Sequence, residues 1–107
     1  MQKLSHLIGC TLIAVSAAIA CGQTRGSEAY MTNCLPCHGE TGDANTPAGK
    51  KLKAASFMTP EVLKKTDAEM FVTIRKGKDD MPAWGEVLTD DEIKNVIAYI
   101  RTLQKKP

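Results

Sequence analysis

Cys34-Leu35-Pro36-Cys37-His38 is the stretch from which the rest of this chain can be read. C-x-x-C followed directly by His is the spacing at which c-type haem is attached covalently to a polypeptide. On a helix, residues three and four apart share a face, so the two thiols can reach the vinyl groups along one porphyrin edge. His38 then sits under the ring with a nitrogen available to iron. The expected cofactor is therefore one covalently bound haem c with its iron, held by Cys34, Cys37 and His38.

Two other chemistries use C-x-x-C. A zinc site needs four ligands, usually from a second Cys or His pair, and the sequence has no second pair. A dithiol redox enzyme would use Cys34-Leu-Pro-Cys37 in a βαβ context, whereas the downstream sequence reads as helical. The dithiol reading stays open at this point as the alternative.

The chain has 107 residues, enough for one domain. A core of this size seldom stabilises a fold without a disulfide, metal or cofactor, and a buried haem would supply the missing apolar centre. The apoprotein is expected to be poorly folded. Net charge is +2 and one positive charge, Lys3, lies in the leader, so nothing in the balance suggests nucleic-acid binding.

Residues 1–20 read as a signal peptide: Lys3 in a short basic start, an apolar run from Leu7 to Ala20, and small residues Ala18-Ile19-Ala20 at the cleavage point. The run is shorter than the roughly 20 residues a membrane span needs. Cleavage there makes Cys21 the first mature residue, followed by a polar linker over residues 21–27. Such a junction resembles a bacterial lipoprotein signal, with Cys21 as the lipidated residue, although Ala18 stands where that signal favours Leu. Lipidation would also explain an otherwise unpaired cysteine in an oxidising compartment. Without it, the same bond is cut by the general signal peptidase and leaves a free thiol. The protein is expected outside the cytoplasm, in the periplasm or facing it, tethered to a membrane through lipid. With His6 and Cys10 in the leader, His38 is the one histidine of the mature chain and no cysteine pair remains for a disulfide.

The mature chain, residues 28–107, reads as helices and loops. Ser27 is the expected N-cap of the helix that carries the haem motif, with Glu28 in its first turn. Pro36 inside that helix removes a hydrogen bond and crowds the preceding turn, which predicts a distortion where the haem is attached. Gly39 ends the helix. Residues 39–58 lack periodicity and read as a loop on the His38 side, with the Pro47 carbonyl as candidate acceptor for the second imidazole nitrogen. An ordinary turn proline is the alternative. Thr59-Pro60-Glu61 starts a short helix. Thr66-x-x-Glu69 and Thr89-x-x-Glu92 are capping boxes that open two more, the first stopping at Gly77. Ile93, Val96, Ile97, Ile100 and Leu103 recur at helical spacing in the last one. That stripe is expected to pack on the first helix, with Tyr30 and Tyr99 as contacts.

With no second histidine in the mature chain, bis-histidine ligation within one chain is excluded, and the candidates for a second axial ligand are methionines. Met81 precedes Pro82, which pushes it into extended conformation on a loop and leaves its thioether free to point inward. Met31 and Met70 read as helix residues that fill core gaps, and Met58 is the competitor. Sulfur opposite histidine favours ferrous iron and raises the reduction potential. Trp84 can lie at the haem edge with its indole N–H toward a propionate, or simply close the loop half-buried. Lys76 and Lys78 flank the loop, where they steer an acidic partner or, beside Asp79 and Asp80, form a solvated mixed surface.

Taken together, Cys34-x-x-Cys37-His38-Gly39, Met81-Pro82-Ala83-Trp84-Gly85 and the amphipathic C-terminal helix resemble the class I c-type cytochromes, here a small bacterial monohaem lipoprotein. The resemblance covers essentially the whole mature chain. It implies a compact all-α fold of about four helices around one haem, thioethers at Cys34 and Cys37, and axial ligation by His38 and Met81. It further implies a monomeric single-electron carrier that meets redox protein partners in a respiratory or related chain, and not an enzyme. The rival readings are a five-coordinate haem sensor or peroxidase-like enzyme, and a thiol–disulfide oxidoreductase.

Overall fold

The computed structural model describes residues 24–105, all of its regular elements helical apart from one isolated bridge between Lys78 and Met81. The signal peptide, Cys21 and Pro107 lie outside the described residues.

Helix α1 runs over residues 24–38, with Gly39 beyond its end. Its start differs from expectation. Residues 24–27, read as linker, are already helical, and Ser27 is an internal residue whose hydroxyl donates to the Thr24 carbonyl at 2.8 Å rather than capping. The reason lies in packing: Gly26 is buried where α1 meets the C-terminal helix, and a Cβ there would run into the Asn95 carbonyl. The expected distortion is present as one widened turn, Tyr30–Cys34, in which the Leu35 N–H reaches the Tyr30 carbonyl five residues back. Such a turn accommodates Pro36, which has no N–H to offer and a ring that would crowd an ordinary turn.

Helix α2 is Pro47–Leu52, a six-residue element inside the stretch expected to be loop. Thr46 caps it, accepting from the Gly49 N–H at 2.9 Å, and Pro47 occupies the first turn. The same Thr-Pro start opens α3, Pro60–Leu63, with Thr59 as cap. Helix α4 is Asp67–Lys76; both bonds of its capping box form, and Gly77 closes it. After a short 3-10 turn at Trp84–Glu86 comes α5, Asp90–Lys105. Its box also closes, Thr89 N–H to Glu92 Oε1 at 3.0 Å and Glu92 N–H to Thr89 Oγ1 at 3.2 Å. Leu88 and Ile93, expected to staple this start, are both buried.

The five stripe residues of α5 are all buried and form the middle of the core with Tyr30, Phe57, Met70, Ile74 and Leu88. Tyr30 and Tyr99 meet with ring centroids 5.1 Å apart. Helix α4 packs along α5 in antiparallel register. Asp67, at the start of α4, pairs with Arg101 near the end of α5, and Arg75, near the end of α4, pairs with Asp90 at the start of α5. The second pair is exposed, so it marks the register more than it stabilises it.

Candidate functional site

The end of α1 and the loop between α4 and α5 face each other across a cleft of about 410 Å³. Cys34, Cys37 and His38 form one wall, Met81, Pro82 and Trp84 the other, and Leu52 to Ala55 close it between them. Its volume is within the range of small-molecule and cofactor sites, as is a mainly apolar lining with a few placed polar groups. A second groove of about 250 Å³, lined by Arg25, Glu28 and Glu92 among others, contains no sulfur or imidazole.

His38 has one ring nitrogen engaged and the other available. Its Nδ1 lies 2.9 Å from the Ala55 carbonyl oxygen. A carbonyl only accepts, so Nδ1 carries the proton and Nε2 keeps its lone pair. Burial pushes the imidazole pKa below its ordinary value, with the Ala55 carbonyl acting in the opposite direction. The neutral, metal-competent form therefore prevails at neutral pH. The acceptor is Ala55 and not Pro47. Pro47 opens α2 and is exposed; a carbonyl in the first turn of a helix points into that helix's own hydrogen-bond ladder.

The α2 cap holds the motif in another way. Thr46 Oγ1 lies 2.8 Å from the Pro36 carbonyl and 3.0 Å from that of Cys37, two acceptors at the end of α1. One hydroxyl thus caps α2 and ties it to the cysteines.

Of the four methionines weighed as second ligand, Met81 alone lines the cleft. Met58 packs against the core, Met70 is buried within it, and Met31 is exposed on α1. Met81 sits at the end of a tight turn in which Lys78 N–H reaches the Met81 carbonyl (3.2 Å) and Met81 N–H that of Lys78 (2.9 Å). Asp79 takes the left-handed conformation this turn needs, φ 53°. Gly77 lets the turn lie against the end of α4: its φ is 77°, and a Cβ there would stand 2.6 Å from the Met81 carbonyl. Trp84 is half-buried at the rim.

The thiols are poorly suited to exchange chemistry. Cys34 is 7% exposed. Burial, helped by Cys37, pushes its thiol up to about 11, whereas an attacking cysteine in a C-x-x-C enzyme is a stabilised thiolate of lowered pKa. Nor do the described residues contain a group of three or more His, Cys, Asp or Glu arranged to hold a metal ion, as a zinc centre would require. Two thiols, one imidazole and one thioether around a single apolar-walled cleft fit a covalently attached haem with a nitrogen and a sulfur donor.

Sequence reasoning missed three parts of this site: the Ala55 carbonyl, the Phe57 ring stacked on His38 at 4.6 Å between centroids, and Thr46. Only Thr46 carried a readable signal, the Thr-Pro start that was recognised at Thr59-Pro60.

Comparison with known proteins shows the family. Residues 22–100 match the family model for cytochrome c oxidase, cbb3-type, subunit III. The chain is 33% identical over 86 residues to the cbb3-type cytochrome c oxidase subunit CcoP of Azospirillum brasilense, covering 78% of this chain and 29% of that protein. It thus spans less than a third of the length of that relative. Against cytochrome c6 of Bryopsis maxima the identity is 32%, over 70% of this chain and 84% of the relative. The solved structure of KustC0563 c-type cytochrome superposes with a TM-score of 0.68 at 30% identity, covering 75% of this chain and 98% of that one.

Proposed function

The chain belongs to the class I c-type cytochromes, haem-bearing electron carriers that meet redox protein partners, and from that membership we propose that Cys34 and Cys37 hold its haem c through thioethers while His38 and Met81 ligate the iron. The iron of the bound group supplies the chemistry, alternating between Fe(II) and Fe(III). The single observation that carries the assignment is the presence of all four side chains on one cleft.

Each residue has a separate task. The thioethers of Cys34 and Cys37 fix one edge of the macrocycle, so that little moves when charge changes. His38 donates through Nε2, made more basic by the Nδ1–H bond to Ala55. Met81 would hold the iron with a soft sulfur, which would favour the reduced state and keep exogenous ligands out. Trp84 covers the rim and offers an indole N–H to a propionate.

We place the protein outside the cytoplasm, on the periplasmic side, as a monomer. Residues 1–20 act as its signal peptide and Cys21 as its lipid anchor. The leader sequence and the site of haem attachment in bacteria support this. Among the described residues no helix is long and apolar enough to cross a membrane. The partners belong to a respiratory or related electron-transfer chain.

The test is mass spectrometry with visible spectroscopy on protein matured in a host that attaches haem. One covalent haem with a ferric methionine–iron charge-transfer band is expected. Haem without that band would assign the iron an open position and a sensing or peroxidase-like role; thiols titrating freely without haem would return the chain to dithiol chemistry.

A further inference from the structure

One short stretch, residues 55–57, grips the His38 imidazole twice. The Ala55 carbonyl takes the Nδ1–H at 2.9 Å. The Phe57 ring lies flat on the imidazole face, centroids 4.6 Å apart and planes within 20°. The two contacts restrain different motions: a hydrogen bond sets where Nδ1 points but leaves the ring free to turn about that direction, and a stacked face removes the turning.

Phe57 is itself held from several sides. It is buried, its N–H donates to the Gly42 carbonyl at 2.8 Å, and its ring meets Tyr30 at 6.2 Å between centroids. Its carbonyl accepts from Gln104 Nε2 at 3.0 Å, a contact reaching across from the last turn of α5. The Gln104 amide has only one workable orientation. Arg101 Nη1 donates to Gln104 Oε1 at 2.9 Å; a guanidinium cannot accept and a carbonyl cannot donate, so Nε2 must face Phe57. Arg101 is anchored in turn by Asp67 and by the Lys65 carbonyl. A continuous hydrogen-bonded route therefore runs from the start of α4, through Arg101 and Gln104, to the backbone of the residue that lies on His38.

We infer that Phe57 is a positioning residue for the His38 imidazole and that Gln104, oriented by Arg101, is the support that holds it in place, so that the last turns of α5 set the plane and the donor strength of the axial ring. This rests on His38 being the iron ligand. An outer partner that orients an imidazole and strengthens its N–H···O=C bond raises its basicity, which stabilises the oxidised iron. Loosening the 55–57 grip weakens that bond and frees the ring plane.

The experiment uses the holoprotein. Gln104→Leu removes the amide near the end of α5, Phe57→Leu removes the stacked face while keeping an apolar side chain, and Phe57→Tyr keeps the face. Leu88→Ala, a buried core residue that takes no part in the route from Asp67 to Phe57, serves as a core-destabilised control. For each, paramagnetic NMR of the ferric protein reads the imidazole plane through the haem-methyl and His38 hyperfine shifts, electrochemistry reads the potential, and thermal melting reads stability. Gln104→Leu and Phe57→Leu are expected to change the haem-methyl pattern and raise the potential, Phe57→Tyr to restore both, and Leu88→Ala to lower the melting temperature without moving either. If Gln104→Leu and Phe57→Leu lose stability alone, with pattern and potential those of the parent, Phe57 and Gln104 are packing residues and the inference is overturned. Absence of imidazole hyperfine signals from the parent protein would overturn both the ligand assignment and this inference before any variant is made.

Discussion

The phenol of Tyr30 donates a 2.6 Å hydrogen bond to the Gly39 carbonyl, joining the start of the widened turn in α1 to the residue just beyond the haem motif. Both partners are buried, and burial pushes the phenol pKa well above its ordinary value, so it remains a neutral donor. The bond spans the whole Cys34–His38 segment and holds its two ends together. Tyr30→Phe keeps the ring contacts with Phe57 and Tyr99 but leaves the buried Gly39 carbonyl with only the longer bond from the Gly42 N–H, 3.3 Å, at a cost of about 0.5–1.5 kcal/mol. Melting of the holoprotein should fall by several degrees, about 4–8 °C for each kcal/mol in a domain of this size. An unchanged melting temperature would show that water satisfies Gly39 instead.

Met81 and Met58 should behave oppositely. Met81 lines the cleft and Met58 packs against the core. Met81→Ala is expected to lower the reduction potential, abolish the ferric methionine–iron band and admit carbon monoxide to the reduced protein. Met58→Ala is expected to do none of these and to destabilise the fold, in the manner of a methionine truncated beside a core. Electrochemistry and carbon monoxide difference spectra on the two variants decide the ligand; an exchanged outcome would assign it to Met58.

What was legible in the sequence was local. The haem motif closes within five residues, and the boxes Thr66-x-x-Glu69 and Thr89-x-x-Glu92 each close within four, so their bonds could be read before any fold was known. Ile93 to Leu103 repeats over enough turns to declare its face. Helix α2 has only six residues, too few for a period to show, although Thr46-Pro47 marked its start. The acceptor for His38 was misplaced because a backbone carbonyl has no residue-type signature, and Ala55 lies 17 residues away, on the far side of α2. Residues 24–27 are polar and small enough to read as linker; they are helical because Gly26 fits against α5, which only the tertiary contact reveals.

Charge is uneven on the α2 side of the cleft. Lys50, Lys51 and Lys53 are exposed on and just after α2, no acidic residue occurs between Asp43 and Glu61, and Lys53 lines the cleft, whereas across it Lys78 stands beside Asp79 and Asp80. An anionic complex approaching over the α2 side should therefore exchange electrons faster than a cationic one, and that exchange should slow as salt rises past the point where the screening length falls to about 10 Å. Lys53→Glu changes the local charge by two units, which against one negative charge about 10 Å away in water is about 0.8 kcal/mol, so it should slow the anionic reaction at low salt by about fourfold. Stopped-flow rates against ionic strength would check this, and equal rates for the parent and Lys53→Glu at low salt would remove Lys53 from the approach path.

Acid should weaken the start of α5 in a defined way. Hydrogen bonds from the Thr89 backbone and side chain lower the Glu92 carboxyl pKa below its ordinary value. The unfolded chain lacks those bonds, so its value is the higher one. The ionised cap thus stabilises the protein fully above the unfolded value, and its contribution is lost as pH falls through the folded one. Glu92→Gln keeps a side chain able to reach the Thr89 N–H but removes the charge. It should melt below the parent at pH 7, and the gap should close on acidification below the carboxylate range, where the parent's Glu92 is itself protonated. Thr89→Ala, by contrast, deletes the hydroxyl that accepts from the Glu92 N–H and should cost about 1 kcal/mol, typical of a lost N-cap. The part of that cost due to the Glu92 N–H bond should persist at acid pH, because it needs no ionised group, while the part due to the hydroxyl's bond to the carboxylate should fade as Glu92 is protonated. Parallel melting curves of the three proteins across the acid range would separate the charge of the cap from its hydrogen bond.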